Sequence, residues 1–138
     1  MSIQNKNISV NEVMIKLGKF PVVRDTTILR EALEEMHLHN YGVVFVTNTK
    51  EELLGVVTAG DITRKLVNCQ KPTPALFMDD SIDHANRDFV HIESGSDIGL
   101  ALEIFEKKKI WDLPVLKENK LIGYIHLHTV VDRLLDIR

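Results

Sequence analysis

Two copies of one pattern fill most of the chain, and this repetition limits the fold more than any single motif does. "TTILREALEEM" (26–36) lies over "SDIGLALEIF" (96–105): Leu29 meets Ile98, Ala32 meets Ala101, Leu33 meets Leu102 and Met36 meets Phe105, at an offset of 69 throughout. "GVVFV" (42–46) falls on "WDLPV" (111–115) in the same frame. "LLGVVTAGDITRKL" (53–66) then falls on "LIGYIHLHTVVDRL" (121–134) at 68, the polar loop between having lost one residue.

Each copy reads as the same series of elements. An extended stretch, "FPVV" (20–23) or "FVHI" (89–92), precedes an amphipathic helix whose apolar residues recur at helical spacing. Two β runs joined by a polar loop follow, "GVVFVT" and "LLGVVT" in the first copy, "LPVL" and "LIGYIH" in the second, and read as neighbouring strands. A second helix closes each copy, "GDITRKLV" or "TVVDRLLDI". The order β-α-β-β-α occurs twice, which predicts a mixed α/β (α+β) fold. One copy covers only one face of its sheet, so two copies sharing a core are expected. The expected division is a first repeat at 8–70, a linker at 71–87 and a second repeat at 88–136. Pro72 and Pro74 keep the linker from starting as a continuous helix.

The chemistry concentrates at "GVVTAGDI" (55–62), where a buried strand gives way to a helix. Thr58 and Asp61 are three residues apart there, the spacing of a reciprocal helix cap. The same geometry suits a phosphorylated ligand, since the free N–H groups of a helix start attract phosphate. A threonine hydroxyl there can bond phosphate or ribose, and an aspartate one turn in can accept from ribose hydroxyls. Gly55 and Gly60 would let backbone approach the ligand, and Arg64 could reach a phosphate on the same face. Cap and ligand site are compatible readings.

Composition narrows the function classes. A net charge of −3 gives no reason to expect a nucleic-acid partner, since proteins that bind one usually carry a basic patch. The single cysteine, Cys69, rules out an intrachain disulfide and a cysteine-rich zinc site, and makes a reducing cytoplasmic location the default. No apolar run approaches the roughly 18 residues that span a membrane, and "MSIQNKNISV" lacks the apolar core of a signal peptide.

The repeated unit with "GVVTAGDI", from Gly55 to Ile62, resembles a tandem pair of cystathionine-β-synthase (CBS) domains. The resemblance implies two units related by a pseudo-twofold axis. Clefts between them would take an adenosyl or related nucleotide, AMP, ADP or ATP, or a CMP-sugar, with Thr58 and Asp61 on phosphate and ribose. Val22, Val23, Gly60, Arg64, Pro114, His126, His128 and Thr129 complete the implied lining. The module would be regulatory and not an enzyme, with no catalytic residue, no resident cofactor and no metal, and would form a homodimer. "VNEVM", "EALEEM", "GVVTAGDITRKL" and "GYIHLHTVVDRL" are most similar to the C-terminal CBS pair of arabinose-5-phosphate isomerases. This implies control of a sugar-isomerase catalytic domain. That family follows the second glycine with a His-x-His-Asp run, and here Thr129 stands in place of the aspartate.

Other candidates are weaker. His37 and His39 lie i and i+2 on a helix and point apart. His126 and His128, read as strand residues, share a face and could reach one ligand. A metal would need His84 or His91 as well, since zinc takes three or four protein donors. Thr129 and Asp132 offer a capping pair three residues later than in the first copy. Trp111 either stacks on a base or packs at a repeat or dimer interface. "SGSD" (94–97) reads as a turn and cap. A ligand-free dimerisation or docking module and a histidine metal site remain the alternatives to nucleotide sensing.

Overall fold

The computed structural model describes residues 8–68, 70 and 72–135. It forms two compact units, one of Gly18–Phe89 and one that joins the N-terminal stretch through Leu17 to Val90 and beyond.

In the continuous unit, β2 (Val22–Arg24) pairs in parallel with β3 (Val43–Thr47), which pairs antiparallel with β4 (Leu53–Thr58). Every residue of β3 is buried, as expected of a central strand covered on both faces. Between β2 and β3 runs α2 (Leu29–His39), which buries Leu29, Ala32 and Met36 and ends at Asn40 in the left-handed conformation that closes many helices. After β4 come α3 (Ala59–Asn68), α4 (Thr73–Phe77) and a 3₁₀ turn (Ser81–His84). The linker is therefore structured: Pro74 sits in the first turn of α4, where its missing N–H costs nothing. Leu76, Ile82 and Ala85 pack on the cluster formed by Val23, Leu29, Val44, Val57 and Ile62.

The discontinuous unit repeats the plan. Its sheet runs β1 (Ile15–Lys16), β7 (Lys120–His126), β6 (Asp112–Lys117), β5 (Ile92–Glu93), with α5 (Ile98–Lys108) between β5 and β6. Asp97 caps α5 by accepting from Gly99 N at 2.6 Å, so the turn-and-cap reading of "SGSD" holds. Leader helix α1 (Val10–Val13) supplies Val10 and Val13 to a cluster with Ile98, Ala101, Leu113, Val115 and Ile125. The final helix, α6 (Leu127–Leu135), begins two residues before "TVVDRLLDI" predicts, and Asp136 and Ile137 lie outside the described residues.

Each unit is finished by the segment that precedes the other repeat. Val10 N donates to Ser96 O at 2.7 Å and Ile98 N to Ile8 O at 2.9 Å. The same contacts recur as Ser81 N to Thr27 O at 2.8 Å and Leu29 N to Asp79 O at 2.8 Å. Ile15 pairs beside β7 at Tyr124, as Asn86 bridges to Val56 on β4. Each unit thus has its own apolar cluster, which the segment preceding the other repeat helps to build.

That exchange explains the glycine that opens each junction motif. A Cβ on Gly55 would lie 2.7 Å from the Ala85 Cβ and 3.3 Å from the Asn86 carbonyl. One on Gly123 would fall on the Met14 thioether and 3.2 Å from the Ile15 carbonyl. Gly55 admits the crossing chain, not a ligand as its place in the motif suggested.

Candidate functional site

The strand-to-helix junction of the continuous unit forms as its spacing predicts. Asp61 N donates to Thr58 Oγ1 at 3.1 Å, and Thr58 N donates back to the Asp61 carboxylate at 3.2 Å, a reciprocal cap. Ala59 N is held by the Gly42 carbonyl at 2.9 Å, which fixes the turn from strand to helix. Arg64 donates to Asp61 Oδ1 at 2.6 Å while staying 68% exposed, so the pair adds about 0–1 kcal/mol and the guanidinium can swing to another anion. A Cβ on Gly60 would meet the Arg64 guanidinium at 3.5 Å, an ordinary contact.

Asp61 and Arg64 face an open cavity of about 330 Å³, with Lys65, Asn68, Asp83, His84, Ala85 and Asn86 completing the wall. The last four belong to the exchanged segment, and sequence reading missed them because the contact joins residues from either side of the linker. Their only signal is Gly55, whose missing side chain marks where that segment crosses. Val22 and Val23 line a different cavity of about 480 Å³, with Arg24, Thr27, Glu31, Glu34 and Glu35.

The second junction is built differently. His126 ends β7, but His128 lies in the first turn of α6 and not on the strand, because the helix starts at Leu127, whose N–H is taken by the Trp111 carbonyl at 3.0 Å. The two rings still meet edge to face, with centroids 5.0 Å apart. Thr129 is inside that helix, so it is not the N-cap of a Thr129/Asp132 pair. His126 Nδ1 lies 2.9 Å from Asp112 Oδ1, and the buried Tyr124 hydroxyl also donates to that carboxylate. At the matching places the first repeat has Thr58, Val43 and Val56. Arg133, at the place that Lys65 holds in the first repeat, approaches Glu12 at 4.0 Å. Pro114 is buried within β6 opposite Tyr124.

The remaining histidines are spread out. His84 Nε2 lies 2.8 Å from Asp79 and His91 Nε2 lies 2.7 Å from Glu93, and His39 rests on the Glu35 carbonyl at 3.1 Å. Among the described residues no group of three or more His, Cys, Asp or Glu could hold a metal ion, and no helix is long and apolar enough to cross a membrane. Trp111 is 62% exposed and borders an apolar groove of about 400 Å³ with Leu102, Phe105, Ile110 and Leu127.

The model of the CBS domain matches residues 10–68 and again 78–136. The chain belongs to the CBS-domain family. The two matches coincide with the two sequence repeats. An uncharacterized protein of Rickettsia prowazekii is 24% identical over 123 residues, which is 88% of this chain and 36% of that protein. One from Helicobacter pylori is 26% identical over 86% of this chain and 35% of its own length. The chain thus spans about a third of these curated relatives. Among solved structures, CBSX2 in complex with AMP superposes with a TM-score of 0.82 at 23% identity, covering 94% of this chain and 97% of that one. CbpB in complex with c-di-AMP gives 0.79 at 13% identity, covering 98% and 93%. At these identities the likeness establishes the CBS-pair fold.

Proposed function

We propose that this CBS pair is a nucleotide sensor whose ribose-competent site is the Thr58/Asp61 junction. The observation that carries the reading is the cavity beside α3: a carboxylate fixed in place by its own helix cap, a mobile guanidinium and a lysine line one space of mononucleotide size. Asp61 would accept from ribose hydroxyls with its unused lone pairs, Thr58 would lie toward the phosphate, and Arg64 with Lys65 would neutralise it. The bound AMP and c-di-AMP of two structural neighbours support a nucleotide as the ligand class.

The second junction would not grip ribose in the same way, because Thr129 replaces the carboxylate and Arg133 is already drawn to Glu12. His126, His128 and Pro114 then belong to a wall of different chemistry. Val22 and Val23 belong to the proposal only as residues of the first repeat. Calorimetric titration with AMP, ADP, ATP, S-adenosylmethionine and CMP-Kdo tests the reading. One nucleotide per chain is expected, with binding lost in Asp61→Ala. Heat from none of them, or unchanged affinity in Asp61→Ala, would refute it.

The finer proposal is that the module acts in the cytoplasm, as a homodimer, on a sugar-phosphate isomerase domain. The relatives' greater length leaves room for such a domain beside the CBS pair. A second reading, a docking or dimerisation module without ligand, is favoured by exposed Trp111 and its apolar groove. Sedimentation of Trp111→Ala beside the titrations separates the two: a fall in mass in a chain that takes up no nucleotide supports assembly alone, whereas nucleotide uptake by the parent chain overturns this second reading.

A further inference from the structure

The cavity beside α3 has one wall that no motif marks, and it contains an unsatisfied polar atom. His84 lies at the end of the 3₁₀ turn with its side chain 10% exposed. Its Nε2 is 2.8 Å from Asp79 Oδ2, while its Nδ1 is buried without a hydrogen-bond partner. A carboxylate can only accept, so the proton of the neutral imidazole sits on Nε2, and Nδ1 is left as a bare acceptor. A buried acceptor with no donor is uncommon in folded chains, and each one calls for a physical reason. His84 lines the cavity together with Asp61 and Asn86, so a molecule held there can bring the missing donor.

We propose that His84 is a specificity-determining residue of this site, accepting a hydrogen bond from the amino group of a nucleobase. The inference rests on the nucleotide reading above and names the class of base. Adenine and cytosine carry an exocyclic amine, whereas hypoxanthine and uracil present an oxygen at the same place. An oxygen opposite Nδ1 sets lone pair against lone pair, and both acceptors then lose water without gaining a donor. Nδ1 itself is buried while His84 lines the cavity, so the contact takes a turn of the ring, of the kind that side chains commonly make on binding. The Asp79 carboxylate keeps the proton on Nε2 and thereby keeps the acceptor pointing the chosen way.

Calorimetry on the full chain with AMP against IMP, and CMP against UMP, tests this directly. One hydrogen bond made or missed amounts to about tenfold in affinity, so AMP should bind about tenfold more tightly than IMP. His84→Leu should bring the AMP/IMP ratio to within about twofold, its melting curve reporting whether it folds. Should that variant not fold, imidazole ¹⁵N shifts of the unaltered chain give the readout: Nδ1 of His84 should move away from the bare-acceptor position when AMP is added. Equal affinity for AMP and IMP, a ratio that survives in folded His84→Leu, or an unmoved Nδ1 signal overturns the inference while leaving nucleotide binding in place. No heat from any of the four nucleotides overturns the nucleotide reading and this inference together.

Discussion

Replacing Gly55 with alanine should destabilise the protein by steric overlap with a segment thirty residues further along the chain. The new Cβ would stand 2.7 Å from the Ala85 Cβ, 3.3 Å from the Asn86 carbonyl and 3.4 Å from Ile82 Cδ1. Two non-bonded carbons prefer about 3.5–4.0 Å, so the overlap approaches 1 Å. The Ala85 methyl is fixed to the backbone and cannot rotate away. Retreat of the whole segment would break the pair of hydrogen bonds between Val56 and Asn86, at 3.0 and 2.8 Å. Overpacking of this kind costs about 1–3 kcal/mol. Alanine regains roughly 0.5–1 kcal/mol over glycine in a strand, which is smaller, so the net loss should be about 1–2 kcal/mol. In a domain of this size that lowers the melting temperature by about 4–8 °C. Gly123→Ala should cost less, because the atom it meets is the flexible thioether of Met14. Urea unfolding followed by circular dichroism measures both. In Gly55→Ala/Ala85→Gly the overlap is relieved, and the double-mutant cycle should show a favourable coupling. A Gly55→Ala variant as stable as the parent, or strictly additive effects in the pair, would refute the steric account.

Other consequences follow from the described contacts. Thr58→Ala removes the cap acceptor of α3 and should cost about 1 kcal/mol in the same unfolding assay, apart from any change in ligand affinity. Tyr124→Phe takes one donor from the half-buried Asp112 carboxylate and should cost about 1.5–3 kcal/mol by thermal or urea denaturation. Leu29→Ala, at a site with no solvent exposure, should cost about 2–5 kcal/mol, and its urea midpoint checks this.

The elements themselves were legible because the repeats are amphipathic in register. Leu29, Ala32 and Met36 are buried as Ile98, Ala101 and Phe105 are, and β4 occupies the six residues of "LLGVVT". The Thr58–Asp61 cap was legible too, since a three-residue spacing is local and needs no tertiary information. What escaped was non-local. Nothing in "SIDHAN" says that it closes the first repeat's unit, and nothing in "SVNEVM" says that it closes the second's. The onset of α6 was misplaced because its first N–H is held by the Trp111 carbonyl rather than by a side chain that composition would reveal. The Tyr124–Asp112–His126 cluster had a readable trace, an aspartate at the place of Val43 and a tyrosine at that of Val56. Their convergence on one imidazole depends on strand register, which pairs Asp112 with His126.

The crossing of the leader segments also sets an order in time. The Gly18–Phe89 unit is one unbroken stretch, so a nascent chain has everything it needs once Phe89 has left the ribosome. The other unit needs Ile15 beside Tyr124, residues near opposite ends of the chain. Its leader helix must wait, with Val10 and Val13 exposed, until β7 has been made. Bringing such distant segments together carries a loop-closure cost that slows folding more than it weakens the finished structure. The first repeat should therefore be closed, with its Asp61 cavity formed, before the second has a sheet.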